Sequence, residues 1–269
     1  MKKYVSFLLV AAILLSGFLL IRSSITSAAF GNKVESNSTS YVSLFQRITH
    51  KIKSLNSKFI CGNTVSDRDG YTYGTVQIGT QCWMAENLKT RTKPNNTPLT
   101  NLSDGSERDC ANDYGIHGTE TDCDAGNTLY THAAAMNGSS TLYAQGLCPN
   151  GFHVPANSEW ISLESYLKDG NNSCNASRNE TFDCATAGTK LKIGGSAHFN
   201  APLSGVRYSD SMMGDMFTDF NTGGYFWTST VTGTHTFLRN VNSDEAGVWQ
   251  GMQNISTPYL SAALRCLKN

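Results

Sequence analysis

Apolar residues in this chain recur with two different periods, and each period marks a different kind of element. Trp160, Leu163 and Leu167 stand at i, i+3 and i+7 with Ile161 and Glu164 flanking them, which predicts one apolar face of a helix over 157–167. Asn157 or Ser158 offers an N-cap oxygen, and Glu159 falls in the first turn, where the helix dipole favours a carboxylate. Just before it, Pro149-Asn150-Gly151 is turn chemistry, and Pro155 biases Val154 to extended geometry, so Phe152–Val154 reads as a strand. A second, small helix is predicted over Leu129–Asn137, with Ala133 to Ala135 as a close-packing face and Gly138 as its stop.

Alternation and turn pairs mark the strands. Tyr71–Ile78 and Gln81–Met84 flank Gly79-Thr80, a pair suited to a type II′ hairpin, and Trp83 reads as core. Tyr225–Val231, Thr236–Val241 and Gly247–Gly251 are the clearest later strands. Leu260–Leu267 alternates Leu260, Ala262, Leu264 and Cys266 against Ser261, Ala263 and Arg265, which predicts a strand with one buried face. Met212-Met213, Asp215, Met216, Phe217 and Phe220 read as a loop, buried as long-loop core or exposed as a contact surface. Residues 169–189 read as a polar, Asn-rich excursion.

The first 60 residues follow other rules. Lys2-Lys3 precedes an apolar run from Tyr4 to Ile21, with small-x-small cleavage patterns ending at Ala28 and Ala29. Residues 1–29 therefore read as a signal peptide or an uncleaved signal anchor, and export follows from either. Residues 30–40 form a polar linker. Tyr41, Phe45, Ile48, Ile52, Leu55 and Phe59 then recur at spacings of 4, 3, 4, 3 and 4, with Arg47, Lys51, Lys53 and Lys58 beside them. A helix packed on its own domain is the plain reading of this stretch; a basic amphipathic helix on an anionic surface and a self-pairing stem are the others. Membrane contact is expected through the N-terminal segment only.

The net charge of zero hides an asymmetry. Residues 1–60 hold eight Lys/Arg and one acid, and the remainder holds 13 basic and 20 acidic residues. A mildly acidic domain argues against nucleic acid as a partner. Few charges and much Gly, Asn, Ser and Thr suit a loop-rich extracellular protein.

Eight cysteines, with an export signal, point to disulfides. Of the 105 connectivities that eight cysteines allow, two short local loops are favoured, Cys110–Cys123 and Cys174–Cys184. Cys148–Cys266 would tie the central turn to the last strand, and Cys61–Cys82 follows by elimination. The acidic stretch 101–127 contains Asp104, Glu107, Asp109, Asp113, Glu120, Asp122 and Asp124. Within it, Asp122, Asp124 and Asn127 have the short oxygen spacing of a calcium loop but lack its distal bidentate Glu, so a solvated, stapled loop is the plainer reading. Calcium is the one cofactor the residues suggest. His117, His132, His153, His198 and His235 are scattered, and His153, beside an aromatic and a valine, reads as a packed, hydrogen-bonded ring. No Gly-x-Ser-x-Gly, His-Glu-x-x-His or phosphate loop occurs.

Several motifs carry a resemblance. Cys148-Pro-x-Gly-Phe-His-Val-Pro followed by Glu159-Trp160, Gly79-Thr-Gln-Cys-Trp-Met-Ala-Glu-Asn-Leu88, Leu129-Tyr-Thr-His-Ala-Ala-Ala-Met136, Gly223-Gly-Tyr-Phe-Trp-Thr-Ser-Thr230 and Leu264-Arg-Cys-Leu267 appear in that family's order. From about residue 67 to 268 the chain resembles the Fibrobacter succinogenes major paralogous domain family. It departs from the family's pattern at His132 and Phe152, where Trp is usual. The resemblance implies an α+β, C-type-lectin-like domain over 61–269, similar to formylglycine-generating enzymes, with two short helices, small twisted antiparallel sheets and long disulfide-stapled loops. It also implies a bacterial surface location and no assigned activity. The function expected is that of a non-catalytic surface module binding glycan or protein through its loops. The alternatives are an enzyme of formylglycine-generating type, for which fold analogy is a weak warrant, and a self-assembling structural protein with residues 41–59 as its stem.

Overall fold

A computed structural model of the chain describes residues 59–100, 107–112, 117–210, 214–255 and 260–269. The segment 1–29, the linker and amphipathic stretch up to residue 58, Asp104, Asp113 and Met212-Met213 lie outside these residues. The chain divides between Phe59 and Ile60, and all described strands and helices belong to the part that starts at Ile60.

That part is mostly sheet with a few short helices. In chain order its strands begin with β1 (Val65–Ser66), β2 (Thr72–Tyr73), β3 (Thr75–Ile78), β4 (Gln81–Met84), β5 (Arg108–Cys110), β6 (Thr128–Thr131), β7 (Phe152–His153) and β8 (Thr181–Asp183). They continue with β9 (Ser204–Asp210), β10 (Gly214–Phe220), β11 (Gly223–Thr232), β12 (His235–Asn242), β13 (Val248–Asn254), β14 (Leu260–Ala262) and β15 (Leu267–Lys268). The helices are α1 (His132–Ala135), α2 (Asn157–Leu167) and α3 (Ala187–Leu191), with one helical turn at Glu120–Asp122 that widens over Cys123–Asn127.

β1 and β2 form a separate ribbon. A four-stranded sheet runs β3-β4-β15-β7, so the last strand returns between the first hairpin and the central turn. The hairpin closes at Gly79, whose φ of +59 suits the first position of a type II′ turn. The larger sheet runs β5-β6-β14-β9-β11-β12-β13-β8, with β10 paired to β9. Its pairings are antiparallel except for a parallel contact between β9 and β11 at Gly205 and Gly224. The architecture is therefore α+β, with one extended sheet where small ones were expected.

The core sits where the two sheets meet α2. The Trp83 and Trp160 rings lie 5.0 Å apart, and Phe199 and Phe226 pack against Trp160 at 5.8 and 5.5 Å. Arg265, fully buried, lies over the Phe199 ring at 4.2 Å and donates to Asn87 Oδ1, Met84 O and Phe199 O. Burial without a carboxylate in hydrogen-bonding reach pushes its pKa down to about 9.

Five local expectations need correction. The stretch 129–137 divides: Thr128–Thr131 is a strand, and only His132–Ala135 is helical, because Thr131 Oγ1 accepts the Ala134 N–H and caps the helix there. The N-cap of α2 is Ala156, whose N–H is taken by the Glu159 carboxylate at 2.8 Å. Residues 214–220 form strand β10 rather than a loop, in register with β9. The polar excursion ends in α3, whose Ala187 and Leu191 join the core. Leu260–Leu267 is buried on both faces, since Ser261 faces β6 and β9, and Arg265 lies in the aromatic core.

Glu164, expected beside the apolar face of α2, is fully buried. Its Oε1 accepts Arg239 Nε at 2.6 Å and its Oε2 accepts Arg178 Nη2 at 2.6 Å. Arg239 also donates to Asn157 Oδ1, and Arg178 to Val248 O and Asn175 O, which ties α2, the excursion and β13 into one buried network.

Candidate functional site

Among the described residues, exposed large apolar side chains stand next to each other in one place. Between α1 and β7 the chain makes a loop, Ser139–Leu147, that is held to the frame by its own main chain. Leu147 N–H donates to Ala135 O, Val154 N–H to Ala144 O, and Tyr143 N–H to Ser229 Oγ. Gly146 has φ +55, and a Cβ there would stand 2.1 Å from Ala135 O, so only glycine allows the loop this close to α1. Cys148 then bonds Cys266.

At the tip, Tyr143 takes φ +61, a region costly to a tyrosine and kept only where surrounding structure enforces it. The result is an exposed apolar pair: Leu142 is 44% and Tyr143 48% accessible. The other exposed large apolar side chains among the described residues, Ile60, Tyr166 and Ile193, stand singly. The Tyr143 ring meets His153 edge-on, with centroids 5.7 Å apart.

His153, on β7, fixes the floor. Its Nδ1 lies 2.7 Å from Asn269 Oδ1 and its Nε2 3.0 Å from both Glu159 oxygens. Burial pulls its pKa down, but the Glu159 carboxylate and Asn269 outweigh burial and raise it. An imidazolium satisfies both acceptors. Beside the tip, Gln145 Nε2 donates to Cys148 O and Asn150 Oδ1. The site is thus an exposed leucine–tyrosine pair whose ring meets His153, with Glu159 and the Asn269 amide on the two nitrogens of that histidine and the Gln145–Asn150 amide pair at the end of the same loop.

The acidic loop is arranged differently. Asp122 Oδ2 accepts from Thr119 N–H and Oγ1; Asp124 Oδ1 accepts from Tyr71 Oη and Arg91 Nη2; Asn127 Oδ1 accepts from Ser204 Oγ. The three oxygens expected to share a calcium ion have three separate sets of donors, and Asp124 sits 3.0 Å from a guanidinium. Two other groupings of acids and sulfurs, Cys110 with Glu120 and Cys123, and Glu164 with Cys174 and Cys184, have their sulfurs in disulfides and offer no thiolate. The eight cysteines are bonded as Cys61–Cys82, Cys110–Cys123, Cys148–Cys266 and Cys174–Cys184.

His117 and His132 are occupied. His117 places Nδ1 2.7 Å from Asp109 and Nε2 3.2 Å from Asp215, and Arg207 bonds Asp215, so both ring nitrogens serve to clamp β5 to β10. Burial raises the Asp109 carboxyl despite Cys110 N–H, His117 and Arg207. His132 is buried against Trp227 and bonds Thr228 O.

Leu142-Tyr143 has no periodicity to betray it. An apolar pair between Gly138 and Gly146, in a stretch otherwise made of Ser, Thr, Ala and Gln, was the only signal. The fold and its bridges define a disulfide-bonded, mostly β member of the α+β class. The Fibrobacter succinogenes major domain matches residues 76–268, and the chain belongs to that family. No curated protein and no solved structure matches the chain.

Proposed function

We propose that this protein is an exported, non-catalytic module that binds glycan or protein at a cell surface through its loops, on a C-type-lectin-like frame. The observation that carries this reading is Leu142-Tyr143, held exposed on a loop whose main chain is stitched to α1, β7 and β11. Binding groups are best placed on loops that a rigid scaffold positions. The basic and then apolar N-terminal segment supports export, and eight cysteines in four bridges suit an oxidising compartment. The lectin-like reading rests on β15 returning beside β4 and on Cys148–Cys266 locking that return. Against the enzyme alternative, a formylglycine-generating type of chemistry needs reactive thiols, and here all eight sulfurs are bridged. The proposal requires no calcium: Asp122 Oδ2, Asp124 Oδ1 and Asn127 Oδ1 each accept from a different set of donors.

The test is a binding screen of the full, oxidised chain against glycans, wall fragments and intact cells, with and without calcium. Saturable binding to one class is the expected result. Failure to bind any of them would overturn the reading.

A further inference from the structure

We infer that the Leu142–Tyr143 platform takes the face of a neutral pyranose ring. This rests on the binding-module reading and names the ligand class of the same site.

Three features of the site select that class. The Tyr143 ring is half exposed, yet its backbone is held at φ +61 by the Ser229 contact and the two main-chain bonds that follow it, at Ala144 O and Leu147 N–H. A rigid aromatic presents a flat apolar surface at little entropic cost, and the ring hydrogens on one face of a pyranose match such a surface in size and polarity. Amides lie along the loop and on the His153 ring. Asn150 Nδ2 and Asn269 Nδ2 donate to no protein group among the described residues, while the oxygens beside them are engaged by Gln145 and His153. Planar amides both donate and accept, as vicinal hydroxyls require. The His153 ring is closed on the Glu159 carboxylate, so that pair presents no unpaired charge, and the Lys268 ammonium beside it donates to Asn269 O. A neutral ring needs no opposite charge from the His153–Glu159 pair.

A peptide fits less well. Strand addition needs open main-chain donors and acceptors, whereas here Tyr143 N–H, Ala144 O and Leu147 N–H are spent on the protein's own Ser229, Val154 and Ala135.

The experiment uses the full oxidised chain against an array of neutral hexose and N-acetylhexosamine oligomers, followed by titration of the best binder. Tyr143→Ala is expected to weaken that binding about ten-fold, the scale of an aromatic hot spot. Tyr143→Phe keeps the ring and keeps binding. Tyr166→Ala removes an exposed tyrosine elsewhere and leaves affinity unchanged. Tyr143→Gly relieves the positive φ, so its unchanged melting temperature, together with lost binding, separates a contact role from a folding defect. Glycan binding indifferent to Tyr143→Ala and Leu142→Ala would overturn this assignment while leaving the module reading intact. So would binding confined to charged glycans, or to a protein that Tyr143→Ala abolishes. Absence of any ligand would overturn the module reading itself.

Discussion

Replacing Glu164 with Gln keeps the shape of the side chain and removes one charge from the most buried ionic network in the domain. Glu164 is the one carboxylate between Arg178 and Arg239, each 2.6 Å away, and all three side chains are essentially without solvent contact. With an effective dielectric of ~20, each ion pair at ~4 Å between charge centres is worth roughly 4 kcal/mol before desolvation. The wild-type network already carries one positive charge in excess; burial pushes the Arg239 pKa down, Glu164 opposes that, and the neighbouring Arg178 adds to the lowering. Glu164→Gln leaves two guanidinium groups facing each other with no anion. Breaking a buried pair from one side costs about 3–5 kcal/mol, because the orphaned charge stays buried. For a domain of this size each kcal/mol moves the melting temperature by roughly 2–4 °C, so a fall of about 6–20 °C is expected. Urea denaturation of the oxidised protein at neutral pH, with calorimetry alongside, measures it. The double variant Glu164→Gln/Arg239→Met removes one of the two unpaired charges and is expected to be more stable than Glu164→Gln alone. A loss below about 1 kcal/mol, or single losses that merely add in the double variant, would refute the buried-network account.

Opening Cys148–Cys266 by a Ser/Ser substitution releases a closure spanning 118 positions, about 5 kcal/mol in the chain-entropy model, against about 3 kcal/mol for the ten-position Cys174–Cys184 loop; an equal loss from the two, by urea midpoint, would contradict this ranking. The two buried histidines act with opposite sign. His153 has a raised pKa, so its contribution is complete below about pH 6.5 and is lost as pH rises through the folded value, whereas His132, depressed by burial, contributes above about pH 6.5 and loses it as pH falls. Melting curves across that range should show the gap between wild type and His153→Gln narrowing towards alkaline pH; a widening gap would reverse the assignment. Calcium at millimolar concentration and chelator are both expected to leave the melting temperature within a degree or so, since bound ligand raises stability only through affinity for the folded state; a clear rise with calcium would show that Asp124 gives up Arg91 for the ion.

The local chemistry of this chain was legible where one element decides it alone. The spacing of Trp160, Leu163 and Leu167 placed α2, Gly79-Thr80 placed the first hairpin, and turn residues separated β11, β12 and β13. Cysteine spacing pointed to short local loops, and the ordered motifs between Gly79 and Leu267 pointed to the family. What depends on neighbours distant along the chain was not written in any period. Leu129 to Thr131 carries enough helical character to extend α1, but pairing with β5 and β14 takes it into the sheet. Phe217 lies in a stretch that reads as a loop until β9 supplies its partner Arg207. Glu164 and Arg265 are charged residues whose burial is set by Arg178, Arg239 and Asn87, between 14 and 178 positions away. The same holds for the candidate site: a leucine and a tyrosine in a polar loop acquire meaning only once Ser229, Ala135 and Val154 hold them in place. Periodicity reports which face of an element is apolar, and only the packed chain decides which other face it meets and which polar groups that contact leaves buried or bare.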